Sequence, residues 1–166
     1  GVRGSDASGW NMGWGWNTPT QNLVDAYEPN DPRKRRTILF SGQSDDPQYG
    51  GYGKTLPAYP AVIPRAYWNK KVYADPAEQA ATNDLHGNGA YNQRILRYAD
   101  VILMAAEAAN ETGNGAKAEA YLEMIRARAR EGQAGVLPKV VFANQAQMRT
   151  AIKAERRVEF AMEGER

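Results

Sequence analysis

Apolar and polar positions follow one rule before residue 94 and another after it. In the later part apolar residues recur at helical spacing. From Ile95 to about Glu111, Ile95, Tyr98, Ile102, Ala105 and Ala109 step by threes and fours, and Val101, Leu103 and Met104 widen the stripe. That pattern predicts a helix buried on much of its circumference. Gly113-Asn114-Gly115 stops it. From Ala116 to about Glu131, Ala118, Tyr121, Leu122, Ile125 and Ala129 share one face, and Lys117, Glu119, Glu123, Arg126 and Arg130 populate the other. A short Gly turn between two such faces predicts an antiparallel αα-hairpin. A link containing Gly132, Gly135 and Pro138 leads to a third helix, from about Asn144 into Phe160 and Met162, with Met148, Ile152, Glu155 and Glu159 three or four apart.

Before residue 94 turn signals dominate: Glu28-Pro29-Asn30-Asp31-Pro32, Asp45-Asp46-Pro47 and Leu85-His86-Gly87-Asn88-Gly89 separate short apolar runs such as Thr37-Ile38-Leu39-Phe40. One helix is predicted there, from Thr20 to about Ala26. Thr18 or Thr20 caps it around Pro19, Leu23, Val24 and Tyr27 give it an apolar face, and Pro29 ends it. An irregular segment this long is either functional or packed on something else. In the hairpin, Ala105, Ala106, Ala108 and Ala109 face Ala118 and Ala120, with Tyr121 beside them, which resembles one tetratricopeptide-like repeat. The expected fold is therefore mainly α, tetratricopeptide-like helix pairs with a long loop-rich segment. We divide it as 1–94, loop-rich with the candidate ligand site, and 95–166, helical scaffold, both parts of one larger domain.

Charge and composition narrow the function. With 21 Lys and Arg against 19 Asp and Glu the net charge is +2, and Arg33-Lys34-Arg35-Arg36 is an isolated basic run, which argues against nucleic acid as a partner. Without Cys there is no disulfide framework, zinc knuckle or thiol nucleophile. No apolar run approaches the roughly 18–20 residues of a membrane span. The start, Gly1-Val2-Arg3-Gly4-Ser5, is neither a signal peptide nor an initiator Met, so we expect a piece of a longer chain.

Three enzymatic motifs fail on inspection. Gly53-Lys54-Thr55 lacks the first Gly of a phosphate loop, follows no strand, and meets Pro57 where a helix must begin. Glu155 and Glu159 have the spacing of a carboxylate pair, but Arg156 and Arg157 beside them favour a structural ion-pair network. His86 alone, in a Gly/Asn turn, is a weak base for a triad and a thin metal ligand. No catalytic residue, metal or cofactor is expected. The most suggestive chemistry is Gly9-Trp10-Asn11-Met12-Gly13-Trp14-Gly15-Trp16-Asn17. Aromatic faces in a Gly-punctuated loop stack on the apolar faces of sugar rings, and Asn hydrogen-bonds hydroxyls. Trp10, Asn11, Trp14 and Trp16 are the candidate ligand-binding residues. The rival role for the Trp side chains is to pin the loop to the helices. Tyr49, Tyr52, Tyr59, Tyr67 and Trp68 form a looser second set.

Three runs carry a family resemblance: Leu96-Arg97-Tyr98-Ala99-Asp100-Val101-Ile102-Leu103-Met104-Ala105-Ala106-Glu107-Ala108, then 118–129, then Ala151 through Glu155-Arg156-Arg157-Val158-Glu159-Phe160 to Glu163-Gly164-Glu165-Arg166. In that order and spacing they resemble the C-terminal half of the SusD/RagB-like nutrient-binding outer-membrane lipoproteins of Bacteroidota. Thr18 to Tyr27 and Asp31-Pro32-Arg33 are also similar, while 41–90 match poorly. The resemblance implies an α-rich scaffold, an N-terminal lipid anchor absent from this chain, and surface exposure at the outer membrane. It implies no catalysis, only capture of oligosaccharide, or of peptide in the RagB branch, for a SusC-type TonB-dependent transporter. Arg97, Asp100, Glu107, Glu155, Arg156, Arg157, Glu159 and Glu163 then read as scaffold ion pairs and caps, and the resemblance transfers no ligand contact. The competing functions are a peptide- or protein-binding helical-repeat module and, behind it, a glycoside hydrolase using Glu or Asp pairs.

Overall fold

The computed structural model describes residues 16–74 and 94–164. Among them the fold is mainly α, with helices α1 (Gln21–Ala26), α2 (Pro32–Thr37), α3 (Tyr98–Glu111), α4 (Gly115–Ala129) and α5 (Gln145–Glu159). Strands β1 (Ile38–Phe40) and β2 (Tyr67–Asn69) form a two-stranded antiparallel sheet. The chain folds as two compact units, one within Gly1–Val24 and Arg35–Gln93, the other within Asp25–Lys34 and Arg94–Arg166. No helix among the described residues is long and apolar enough to cross a membrane.

The helical unit is built around Leu103, Ala106, Ala118, Leu122, Met148 and Ile152, all essentially inaccessible. Helix α3 starts three residues later than its periodicity predicts. Arg97 is extended (φ −122°, ψ 153°), and Ile95, 81% exposed, takes no part in the stripe. The extended backbone lets the Arg97 guanidinium reach Glu159 (2.9 Å) and Glu163 (2.7 Å), so tertiary ion pairing overrides helix propagation. The buried face of α3 is also narrower than expected and rotated. It runs through Ala99, Ile102, Leu103, Ala106, Ala109 and Asn110, leaving Tyr98, Val101 and Met104 exposed and Ala105 half-buried. Close approach of two helices selects small side chains for the contact line, and Ala106, Ala109 and Ala118 occupy it. Ala108 and Ala120 lie outside.

Helix α4 begins at Gly115, with the Asn114 side chain accepting from the Lys117 N–H (3.2 Å) and Gly113 at φ 80° making the turn. A Cβ on Gly115 would overlap the Phe142 ring. Gly115→Ala is therefore expected to cost about 1–3 kcal/mol by overpacking, read as a lower denaturant midpoint at unchanged slope. Tyr121 is half-buried against the core, and Arg126, expected on the solvent face, is buried. Helix α5 is capped by Asn144, whose side chain accepts from Gln147 N–H at 2.9 Å, and it ends at Glu159, before the predicted Met162. Its buried line is Met148, Ile152, Glu155, Val158 and Glu159, as the spacing of Met148, Ile152, Glu155 and Glu159 predicts.

In the loop-rich unit, Leu39, Leu56, Ile63 and Trp68 form a small core, with Leu39 opposite Trp68 across the sheet. Thr20 caps α1: its hydroxyl accepts from Leu23 N–H (3.3 Å). The Thr37-Ile38-Leu39-Phe40 run becomes β1. Helix α2 was hidden inside a turn signal. Pro32 occupies its first position and the Asp31 carboxylate accepts from the Arg33 N–H (2.9 Å), an N-cap arrangement.

Candidate functional site

Of the four residues expected to contact ligand, Trp10, Asn11 and Trp14 lie outside the described residues, while Trp16 is 83% exposed. An indole this accessible retains a large apolar face in water. The second aromatic set divides by role. Trp68 is buried and its indole N–H donates to the Ser41 hydroxyl (3.0 Å). Tyr67 packs edge-on against Phe40 (5.5 Å between centroids) and its hydroxyl donates to Gln21. Those two rings are structural. Tyr59 is about half exposed, Tyr52 is exposed and tilted against Tyr73 (5.2 Å), and Tyr49 sits beside the guanidiniums of Arg35 and Arg36.

One carboxylate arranges this surface. Asp45, 2% exposed, accepts from Tyr52 N–H (2.7 Å), Lys54 N–H (2.9 Å) and the Tyr73 hydroxyl (3.1 Å). Its own carbonyl accepts from the Lys70 ammonium. Gly51 must lack a side chain, because a Cβ there would overlap the Asp45 backbone. Burial pulls the Lys70 pKa below its ordinary value and the nearby Arg35 and Arg36 act the same way, against the opposing charges of Asp45 and Asp46. Lys54 and Thr55, the end of the rejected phosphate-loop reading, belong to this arrangement. Thr55 bridges Ser44 across an antiparallel contact, and no helix follows. Asp45, Lys70 and Tyr73 escaped sequence reasoning. Asp45-Asp46-Pro47 reads as a turn, and nothing in a turn signal marks which carboxylate will be inside.

The Glu155/Glu159 pair of the helical unit is an ion-pair hub, as expected, but its partners come from elsewhere in the chain. Glu155 binds Arg33 and Arg126 (2.9 Å), and Glu159 binds Arg33 (3.2 Å), Arg97 (2.9 Å) and Arg128 (2.5 Å). Arg156 turns instead to Asp100 (2.6 Å). Neighbours in sequence on a helix point about 100° apart, and here that turns Arg156 toward Asp100 of α3 and leaves Arg157 on the exposed face. Burial opposes the charge on Arg33, and the hydrogen bonds and charges of Asp31 and Glu155 outweigh it, so its pKa is raised and it stays charged. Burial pushes the Glu159 pKa up, and the hydrogen bonds and charges of Arg128 and Arg97 outweigh it, bringing the carboxyl from 4.5 to about 2.

The sign of that shift fixes a pH dependence. A carboxyl with a depressed folded-state pKa contributes stability above its ordinary value and loses that contribution as pH falls toward the folded value. Glu159 should contribute about 3 kcal/mol that disappears between pH 4.5 and about 2. Chemical denaturation across that range should show a steep loss for the wild type and a shallower one for Glu159→Gln. His86 lies outside the described residues, and no metal-sized group of His, Asp and Glu occurs among those described.

A sequence model of the SusD family matches residues 2–166. SusD-like protein P2 of Formosa agariphila is 27% identical over 169 residues, covering 100% of this chain and 33% of that protein. A SusD-like protein from Bacteroides fragilis superposes with a TM-score of 0.61 at 26% identity, over 92% of this chain and 35% of its own. A SusD superfamily protein from Bacteroides vulgatus gives 0.60 at 22% identity, over 98% and 34%. The chain thus spans about a third of the length of these relatives.

Proposed function

The chain belongs to the SusD family, and on that premise we propose that it captures oligosaccharides at the bacterial cell surface and delivers them to a SusC-type TonB-dependent outer-membrane transporter. The observation that carries the reading is the family match along residues 2–166. The proposed setting is that of a surface-exposed outer-membrane lipoprotein. The proposed ligand contacts are Trp10, Asn11, Trp14 and Trp16, with the rings stacking on sugar faces and the amide bonding hydroxyls. The exposure of Trp16 supports this reading by leaving much of that ring accessible to a ligand. A binding role without hydrolysis is supported by the use of Glu155 and Glu159, the pair with carboxylate-dyad spacing, to neutralise buried arginines.

The test is a glycan array and affinity gel screen of the full-length protein with Trp10→Ala, Trp14→Ala and Trp16→Ala variants, folding being checked by circular dichroism. Trp16→Ala is expected to keep its fold and to lose tenfold or more in affinity, since aromatic stacking contributes about 1–3 kcal/mol in comparable ring contacts. Absence of glycan binding by the wild type would put peptide capture first. Equal binding by all three variants would move the site out of this loop.

A further inference from the structure

We propose that Tyr52 is a second stacking position for a sugar ring, outside the Trp-rich loop, and that the buried Asp45 is its positioning residue. The inference rests on the glycan-binding reading and adds a contact to it, made to the apolar face of a pyranose. Tyr52 is 40% exposed, and its ring leans on that of Tyr73, 5.2 Å between centroids and 56° between planes. Tyr73 is half-buried, packs on the core of Leu39, Leu56, Ile63 and Trp68, and donates its hydroxyl to Asp45 (3.1 Å). One ring is anchored, and the other rests on it and faces water.

The backbone under Tyr52 is fixed from more than one side. Asp45, 2% exposed, accepts from the Tyr52 N–H (2.7 Å) and the Lys54 N–H (2.9 Å), and its own N–H donates to the Lys54 carbonyl (2.8 Å). Beyond it, Ser44 pairs with Thr55 in an antiparallel bridge, and the buried Leu56 donates to the Gln43 carbonyl (2.9 Å). Gly51 lies against Asp45, where a Cβ would overlap the backbone, whereas at Gly53, φ 74°, a Cβ would meet nothing within 4 Å. The segment is therefore closed against the protein before Tyr52 and open after it. Burying a carboxylate carries a desolvation cost, offset here by bonds that hold a ring at the surface. Packing does not call for that construction, since Tyr52 is no part of the small core. Stacking does: a ring ordered in advance loses little conformational entropy on binding, and its flat face meets the C–H groups of a pyranose.

The test is affinity electrophoresis of the full-length protein in gels containing starch, mixed-linkage β-glucan, galactomannan or arabinoxylan, all neutral, so that charge does not contribute. The comparison is wild type with Tyr52→Phe, Tyr52→Ala, Asp45→Asn and Asp45→Asn/Tyr52→Ala, folding being checked by circular dichroism. In a gel that retards wild type, Tyr52→Ala should lose roughly tenfold or more in affinity, and Tyr52→Phe, which keeps the ring, should retain most of it. Asp45→Asn should weaken retardation when Tyr52 is present and add nothing when it is absent, a non-additivity that general loss of stability would not produce. Should Tyr52→Ala misfold, Tyr52→Leu carries the same readout, because it keeps apolar bulk without the flat face. Undiminished retardation of a folded Tyr52→Ala, or an equal loss in Tyr52→Phe, overturns the stacking position. Additive losses in the double variant overturn the role of Asp45. Retardation that falls only in the Trp10→Ala, Trp14→Ala or Trp16→Ala variants leaves the glycan reading standing without Tyr52. No retardation of wild type in any of these gels overturns the proposal, and no glycan binding on the array removes the underlying reading as well.

Discussion

Glu155→Ala is expected to destabilise the helical unit by about 3–5 kcal/mol, the usual cost of removing one partner from a buried ion pair. Glu155 sits between two arginines that are themselves buried. Its removal leaves Arg33 with Asp31 and a longer contact to Glu159 (3.2 Å), and Arg126 with the half-exposed Glu28 (2.8 Å) and the Pro138 carbonyl. Arg33 stays charged at any accessible pH, so the unfolded state becomes its cheaper location. Chemical denaturation should show the midpoint drop, and Glu155→Gln should fall between wild type and Ala, because an amide accepts one hydrogen bond but supplies no charge. A loss below about 1 kcal/mol would mean that the pairs are solvated and act like surface bridges.

This hub explains what sequence reading reached and what it missed. Met148, Ile152, Glu155 and Glu159 were legible as one face of a helix because their spacing is a local property. The carboxylates on that face were legible as ion-pair members. Their partners were not, since Arg33 lies 122 residues from Glu155 and only tertiary packing brings them together. Arg126 was misplaced for a related reason. Helical periodicity sorts residues by polarity, and a buried Arg whose guanidinium meets Glu155, Glu28 and the Pro138 carbonyl looks polar on paper. The rotation of α3 is subtler: Tyr98, Val101 and Met104 are as apolar as the residues that won, and alanine prevailed on size. In the loop-rich unit, β1 and β2 are three residues each and lie far apart in sequence, too short for alternation to announce them. Trp68 and Trp16 illustrate the limit for the site. Both are tryptophans in an aromatic, turn-rich stretch, yet one is core and the other exposed.

Asp45→Ala should produce the second large effect, on the order of 3–5 kcal/mol, and it should be felt at the aromatic surface. Two backbone amides and a phenol lose this acceptor together; the three bonds are partly buried, so each contributes toward the lower end of the about 1–3 kcal/mol that an unpaired donor costs, and the loss of the buried Asp45 carboxylate's packing adds to them. The methyl group of Ala also leaves space beside Gly51, where backbone and carboxylate now meet. Asp45→Asn should recover part of the loss, since its one carbonyl oxygen serves one donor while its amide turns a donor toward another. Hydrogen exchange would place the effect: the amides of Tyr52 and Lys54 should exchange faster by several orders of magnitude in Asp45→Ala. Removing the carboxylate also removes the main charge that supports the Lys70 ammonium against burial and the two arginines, so the pKa of Lys70 should fall further. Because the charged form of Lys70 is penalised in the folded state, stability should recover as pH rises through that lowered pKa. Tyr52 and Tyr73 are positioned around Asp45 without any ligand needing to touch it. A binding defect in Asp45→Asn, at a temperature where the fold persists, would then be loss of order in the aromatic surface, with weaker binding traceable to Tyr52 and its neighbours.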